Sequence, residues 1–219
     1  MKLEHLYYKN DSLYSKISVS AAKNGEQYVP SKESRIVIEE LVQTVNNLGT
    51  SKMKVKAALC QAYHHGLHKR FYEGKEILLK THIGESIHLQ DIGTQILYNR
   101  AVTQIGVAAF RLGHIEEAHD TLVDIAQTHT DKDRQRLKEI LAQGVSRIPD
   151  KPVELEKEEL KRQIPQHMQI NIQFLECVYL ISAMILEIPN IAENQYLVNK
   201  RVISKNFKRL IEMYDSKAF

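Results

Sequence analysis

His64 and His68 stand four residues apart, the spacing at which two imidazoles on one helix face can share a divalent metal, and His65 lies between them. Such a site needs further donors, and the nearest histidines, His82 and His88, fall in a segment whose geometry the sequence does not set. No glutamate follows His64, so the helical zinc-protease pattern is missing. These histidines are expected to be structural or solvent-facing, with no metal and no cofactor. Cys60 has histidines downstream but no oxyanion-hole signature. The nine glycines never cluster into a phosphate-cradling loop, and Gly84 and Gly93 stand alone. Adjacent acids at Glu39–Glu40, Glu116–Glu117 and Glu158–Glu159 point in different directions on a helix and read as solvated faces. No enzymatic activity and no small-molecule substrate is expected.

The second chemistry on offer is basic. Arg201, Lys205, Lys208 and Arg209 recur at three- and four-residue steps and, with Lys200 at the edge, would line one face of a terminal helix. That face reads first as an ordinary exposed helix face; the alternative is a contact to an acidic partner or an RNA phosphate, the latter with an affinity falling steeply with salt. Phe207 is the one aromatic interleaved, which disfavours base stacking as the main mode. With 30 Lys and Arg against 27 Asp and Glu, the net charge of +3 is too small for a basic surface as a whole, so any such site is local. Tyr196, Val198, Val202, Ile203, Phe207 and Leu210 share this segment, and part of the set is expected to stay uncovered.

The elements that must carry these residues are helices. Between Thr94 and Ala126, Ile96, Leu97, Ala101, Ile105, Ala108, Ala109 and Leu112 mark one helix face; Gly113 supplies a turn, and Ile115, Ala118, Leu122 and Ile125 continue inward on a second helix. Gly106, Ala109 and Ala118 are small enough for close helix approach, as in a tetratricopeptide hairpin. Lys54–Lys80 repeats the layout, with Val55, Leu59, Ala62 and Tyr63, a turn near Lys69 and Arg70, then Gly74, Ile77 and Leu78. If Gly74 corresponds to Ala118, the repeat step is about 44 residues, within the roughly 34 to 47 of paired-helix repeats. Hairpins of this kind bury their faces by stacking on one another.

Elsewhere, Met1–Lys23 offers Leu3, Leu6, Tyr7, Leu13, Tyr14 and Ile17 for packing, and Asn24–Pro30 breaks it. A cap at Ser31 or Ser34 opens a helix bearing Ile36, Ile38, Leu41, Val42, Val45 and Leu48, closed by Gly49. His82–Gly93 reads as a polar separator, Asp131–Gln143 as a short helix, Ile148–Pro152 as a linker, and Glu154–Arg162 as a helix of alternating charge. Pro165 should begin the long apolar helix and Pro189 end it, with a last helix over about Ala192–Tyr214. No strand is expected. Ile170–Ile188 has nearly the length of a membrane span, but Glu176, Asn171 and Gln173 argue for a central core helix, apolar all round. The start of the chain has no uninterrupted apolar run and does not read as a secretory signal. Cys60 and Cys177 lie in apolar helical segments and should behave as small hydrophobes in a reducing compartment, a single buried disulfide being the alternative.

YHHGLHKRFYEGKEILL, QILYNRAVTQIGVAAFRLG, RQIPQHMQINIQFLECVYLISAMILEIP and RVISKNF, spread over Ala57–Phe207, resemble the C-subunit family of eukaryotic translation initiation factor three; the first fifty residues match less clearly. The resemblance implies the helical-repeat arm of a proteasome-lid, signalosome and initiation-factor (PCI) domain, an all-α right-handed superhelix of tetratricopeptide-like antiparallel helix pairs. It implies a division into N-terminal helices (1–49), hairpins (50–147), a charged proline-containing connector (148–165), and a long buried helix with a C-terminal helix (166–219) leading toward a winged-helix module. The chain then reads as a fragment of a longer subunit. Its role would be a cytoplasmic, membrane-free scaffold in translation initiation, with other subunits of the factor and the small ribosomal subunit, including ribosomal RNA, as partners. A helical-repeat RNA-binding module and a related proteasome-lid or signalosome subunit are the competing readings.

Overall fold

The computed structural model describes residues 2–12, 15, 16, 19, 33–126, 169–193 and 202–217, and every regular element among them is helical, in keeping with the expected all-α class. The chain divides into two compact units, residues 1–105 and 106–219. The expected helices over Asp131–Gln143 and Glu154–Arg162, the linker between them, and Leu13, Tyr14 and Ile17 lie outside the described residues.

In the first unit, α1 (Lys2–Leu6), α2 (Ser34–Leu48), α3 (Ser51–Leu67), α4 (Phe71–Thr81) and α5 (Ile83–Ser86) are followed by a single 3₁₀ turn at Ile87–Leu89 and the opening of α6 (Ile92–Leu112). The helix at the centre is α3, whose Ala57, Leu59, Cys60, Ala62 and Tyr63 are all buried. Leu3 and Tyr7 pack the N-terminal segment onto it, the Tyr7 and Tyr63 rings meeting edge to face at 5.1 Å. The expected hairpin is α3 with α4. Lys69 takes φ 61° at the reversal, and the Arg70 N–H closes it on the His65 carbonyl at 2.9 Å. Gly74 is buried against Ile105, and a Cβ there would lie 3.2 Å from the Ile105 side chain.

Two expectations for this unit are corrected. Ser34 does not cap α2: it is the first helical residue, Glu33 stands at the cap, and no side chain caps the helix there. The segment His82–Gly93 is not a polar separator, since Ile83 and Ile87 join Leu59 in a buried cluster flanked by Val55, Leu78, Leu97 and Tyr98. Two apolar residues four apart in so short a piece set up no recognisable period. Asp91 then opens α6 by accepting the Thr94 hydroxyl at 2.6 Å, and Lys56 and Lys52 of α3 reach its carboxylate at 3.3 and 3.4 Å.

In the second unit, the end of α6 turns at Gly113 (φ +86°) into α7 (Ile115–Ala126), the His114 N–H donating to the Ala109 carbonyl at 3.0 Å. This is the expected glycine-closed turn. Ala108, Ala109, Ala118 and Leu122 are fully buried, but Leu112, expected inward, is 45% exposed at the end of its helix. The next described helices are α8 (Ile172–Glu193) and α9 (Lys205–Lys217). Val107, Leu122, Leu175, Val178 and Tyr179 form the core between α6, α7 and α8.

The long apolar helix departs from its reading in three ways. It begins at Ile172, not at Pro165, and Pro189 lies inside it. Pro189 is exposed, so water can serve the carbonyl that the missing N–H leaves free, and the helix continues to Glu193. It is also not buried all round: Leu175, Val178, Tyr179 and Ala183 face inward together with Glu176, Ser182 and Glu187, whereas Phe174, Ile181, Met184, Ile185, Ile188 and Ile191 are exposed. Its length and composition would suffice to cross a membrane, but its buried side carries two carboxylates.

Both cysteines are free, not joined in a disulfide; Cys60 is buried as a small hydrophobe would be, whereas Cys177 is exposed. Burial pushes the Cys60 thiol up to about 12, and the thiolate is the reactive form. At pH 8 the native chain should show one thiol titrating rapidly with Ellman's reagent and two in denaturant. The second should react at least roughly 100-fold more slowly in the native state. Cys177→Ser should remove the fast phase; a fast phase surviving that change would contradict the packing of α3.

Candidate functional site

The basic end is positioned by α8. Glu187, only 2% exposed, accepts the N–H groups of Ile203 and Ser204 on Oε2, both at 2.8 Å, while Asn190 donates to its Oε1 at 3.3 Å. Ser204 then caps α9, its hydroxyl accepting the Phe207 N–H at 3.3 Å and its carbonyl the Lys208 N–H at 3.2 Å. Asn206 is buried and donates to the Tyr179 hydroxyl at 3.3 Å. These bonds start the helix at Lys205, so the last helix does not begin near Ala192 as expected. Lys200 and Arg201 lie outside the described residues, and Val202–Ser204 are not helical. The continuous helical face drawn through Arg201 and Lys205 is therefore not formed.

Lys205, Lys208 and Arg209 are all exposed on the first two turns of α9. Lys208 Nζ approaches Glu212 Oε1 only to 3.9 Å, at the edge of an ion pair. Cations at a helix N-terminus oppose the helix dipole, at a cost of a few tenths to about 1 kcal/mol each. Of the terminal apolar set, Ile203 and Leu210 are exposed and Val202 and Phe207 are half-buried, in line with the expectation that part of it stays uncovered; Ile211, Met213 and Tyr214 are exposed beside them, and Tyr196 and Val198 lie outside the described residues.

The histidines at the C-terminal end of α3 form the second cluster, His64 and His65 in its last turn and His68 at its cap. His64 is 1% exposed, and its Nε2 lies 3.1 Å from the Ser34 hydroxyl. Burial, reinforced by His68 and Arg70, pushes His64 down to about 3. His65, also buried, is shifted down by the same desolvation. The His64 and His68 rings stand 4.1 Å apart. Nδ1 of His68 bonds the His64 carbonyl at 2.8 Å, and its Nε2 receives the Asp11 N–H at 3.2 Å beside Asp11 Oδ2 at 3.1 Å. The expectation of a structural role thus meets an arrangement that includes Asp11 and Ser34, neither of which the sequence marked. His82 is exposed in a left-handed conformation, and the side chain of His88 is not among those described. Of the adjacent acids, Glu39 is engaged by Arg35 at 2.7 Å, while Glu40 and Glu116 are exposed.

Comparison with known proteins gives this architecture a family. The family model of the eukaryotic translation initiation factor 3 subunit 8 N-terminus matches residues 1–198, so the match takes in the first fifty residues as well. The C subunit of eukaryotic translation initiation factor 3 from Drosophila melanogaster is 39% identical over 209 residues, covering 94% of this chain and 22% of that protein. The Danio rerio protein of the same name is 36% identical over 214 residues, with 94% and 22% covered. That of Mycosarcoma maydis is 37% identical over 238 residues, with 100% and 26% covered. The chain spans about a quarter of the length of these relatives. On a match to most of its length, the chain belongs to the family of the eukaryotic translation initiation factor 3 subunit 8 N-terminus, which in these relatives is part of the C subunit.

Proposed function

We propose that the chain is a scaffold segment of a translation initiation factor 3 assembly and acts without catalysis. In this reading the helix pairs stack into a right-handed, tetratricopeptide-like superhelix of the PCI type. It is organised as N-terminal helices (1–49), hairpins (50–147), a connector (148–165) and a terminal helix pair (166–219). The arm holds other subunits in a fixed orientation, in the cytoplasm, while the assembly engages the small ribosomal subunit. Family membership carries the reading, and the close packing of Gly66 and Gly74 against Gln104 and Ile105 of α6, and of Gly106 against Leu122, would supply the stiffness it needs. The contact assigned to the basic end is Lys205, Lys208 and Arg209, with Lys200 and Arg201 preceding them in sequence; Lys205 opens α9 against the helix dipole, a cost that a partner contact would offset.

The test is capture of partners from eukaryotic cytosolic extract at low and moderate salt, with and without nuclease. Nuclease-resistant recovery of other factor 3 subunits supports the scaffold, whereas RNA alone, lost at moderate salt, moves the function to an RNA-binding module. Reversing Lys205, Lys208 and Arg209 to glutamate should lower retention of the partner by about tenfold or more at low salt. The same change should leave thermal stability equal or slightly raised, since acids suit a helix N-terminus. Unchanged retention would remove these three residues from the interface.

A further inference from the structure

Asp11, His64 and His68 each offer one ligand atom, and these three atoms all lie within 4.8 Å of one another. We propose that they form a binding site for a divalent transition ion, Zn²⁺ best by donor type, which pins the N-terminal segment to α3.

Each donor is prepared for this by its surroundings. His68 Nδ1 is committed to the His64 carbonyl at 2.8 Å, and a histidine ligand usually holds its second nitrogen on a carbonyl or carboxylate in this way. That bond fixes the tautomer and leaves the Nε2 lone pair outward, where it now accepts the Asp11 N–H at 3.2 Å. The 3.1 Å between His68 Nε2 and Asp11 Oδ2 is close to the roughly 3.3 Å that separates two ligands of a tetrahedral Zn²⁺ with bonds of about 2.0 to 2.1 Å. His64, one helical turn away, is almost wholly buried, and its ring is 4.1 Å from that of His68, so a small rotation completes the triad. The fourth position falls to water: a small pocket shared by Asn10, Asp11 and Ser34 opens beside the cluster, and the Ser34 hydroxyl is within hydrogen-bond range of His64. Two imidazoles and one carboxylate suit Zn²⁺ or Co²⁺ and not the all-oxygen shells of Mg²⁺ or Ca²⁺. The ion would join residues 57 apart in the chain.

The experiment is a titration of the chelator-stripped chain with Zn²⁺, and with Co²⁺ for its visible spectrum. One equivalent should bind, with the intense bands of a four-coordinate Co²⁺ site, and saturating Zn²⁺ should raise Tm by about 5 °C. Asp11 is half exposed, so Asp11→Asn should keep the metal-free Tm while weakening Zn²⁺ at least about tenfold; His68→Gln should weaken it about 100-fold. The exposed His82→Asn serves as the control and should bind as the parent does. Absence of a Co²⁺ spectrum, or binding that Asp11→Asn leaves intact, overturns the proposal. So does binding that falls equally in the His82 variant.

Discussion

Replacing Glu187 by alanine is expected to unfasten α9 from the second unit and to cost about 3 kcal/mol of stability, the largest single-residue loss foreseen for that unit. The carboxylate is 2% exposed and receives two backbone N–H groups at 2.8 Å, with the Asn190 amide on its other oxygen. Hydrogen bonds to a charged group contribute about 1.5 to 3 kcal/mol each, and a buried donor left without an acceptor adds a desolvation cost of about 1 to 3 kcal/mol. Alanine removes all of the acceptors and opens a cavity beside Ser204, itself 2% exposed and the cap of α9. Glutamine keeps one carbonyl oxygen in reach of the two N–H groups and should lose roughly half as much. Hydrogen exchange locates the effect: amides of Ile203, Ser204 and Phe207 should lose protection in Glu187→Ala while those of Leu122 and Val178 keep it. Protection at Ile203 and Ser204 equal to the parent's would show that Glu187 does not hold this turn.

That same bond explains which parts of the molecule could be read from the sequence. The hairpins were legible because their information is local: Ile105, Ala108 and Ala109 repeat at helical spacing, and Gly113 must supply the positive φ of the turn. The start of α9 was not, since it is set by a carboxylate 16 and 17 residues upstream. Periodicity alone extends the helix back through Arg201 and so draws a basic face longer than the one that forms. In α8 the composition itself misled, because a helix apolar on every side gives no signal of which side is buried. The polar residues that decide the matter, Glu176, Ser182 and Glu187, sit on the inward face. The histidine cluster was half legible: the spacing of His64 and His68 was plain, but Asp11 joins them only through tertiary packing.

Gly66→Ala should destabilise the first unit by about 2 kcal/mol or more, the opposite of what helix propensity alone would give. Alanine in a helix interior is favoured over glycine by about 1 kcal/mol. At Gly66, however, a Cβ would stand 2.8 Å from the Gln104 carbonyl carbon and 2.9 Å from the Ile105 nitrogen, both backbone atoms of α6. No side chain can swing away, so α3 and α6 must separate along a contact that also buries Leu59 and Ile105. Overpacking of this kind costs about 1 to 3 kcal/mol and more where backbone must move, which outweighs the propensity gain. Gly106→Ala is the instructive comparison: its Cβ would meet Leu122 Cδ2 at 2.5 Å, a side chain, but one fully buried with no solvent to turn into. A loss of about 1 to 2 kcal/mol is expected there, since leucine can change rotamer at a price in packing. Gly93 supplies the reference, being exposed in the first turn of α6 with nothing nearer than 3.4 Å, so its alanine variant should be neutral or up to about 1 kcal/mol more stable. Urea denaturation of the three variants should rank them Gly93, Gly106, Gly66 from most to least stable. A Gly66 variant as stable as that of Gly93 would mean that α3 and α6 do not meet backbone to backbone, and the stiffness argued for the arm would lose its source.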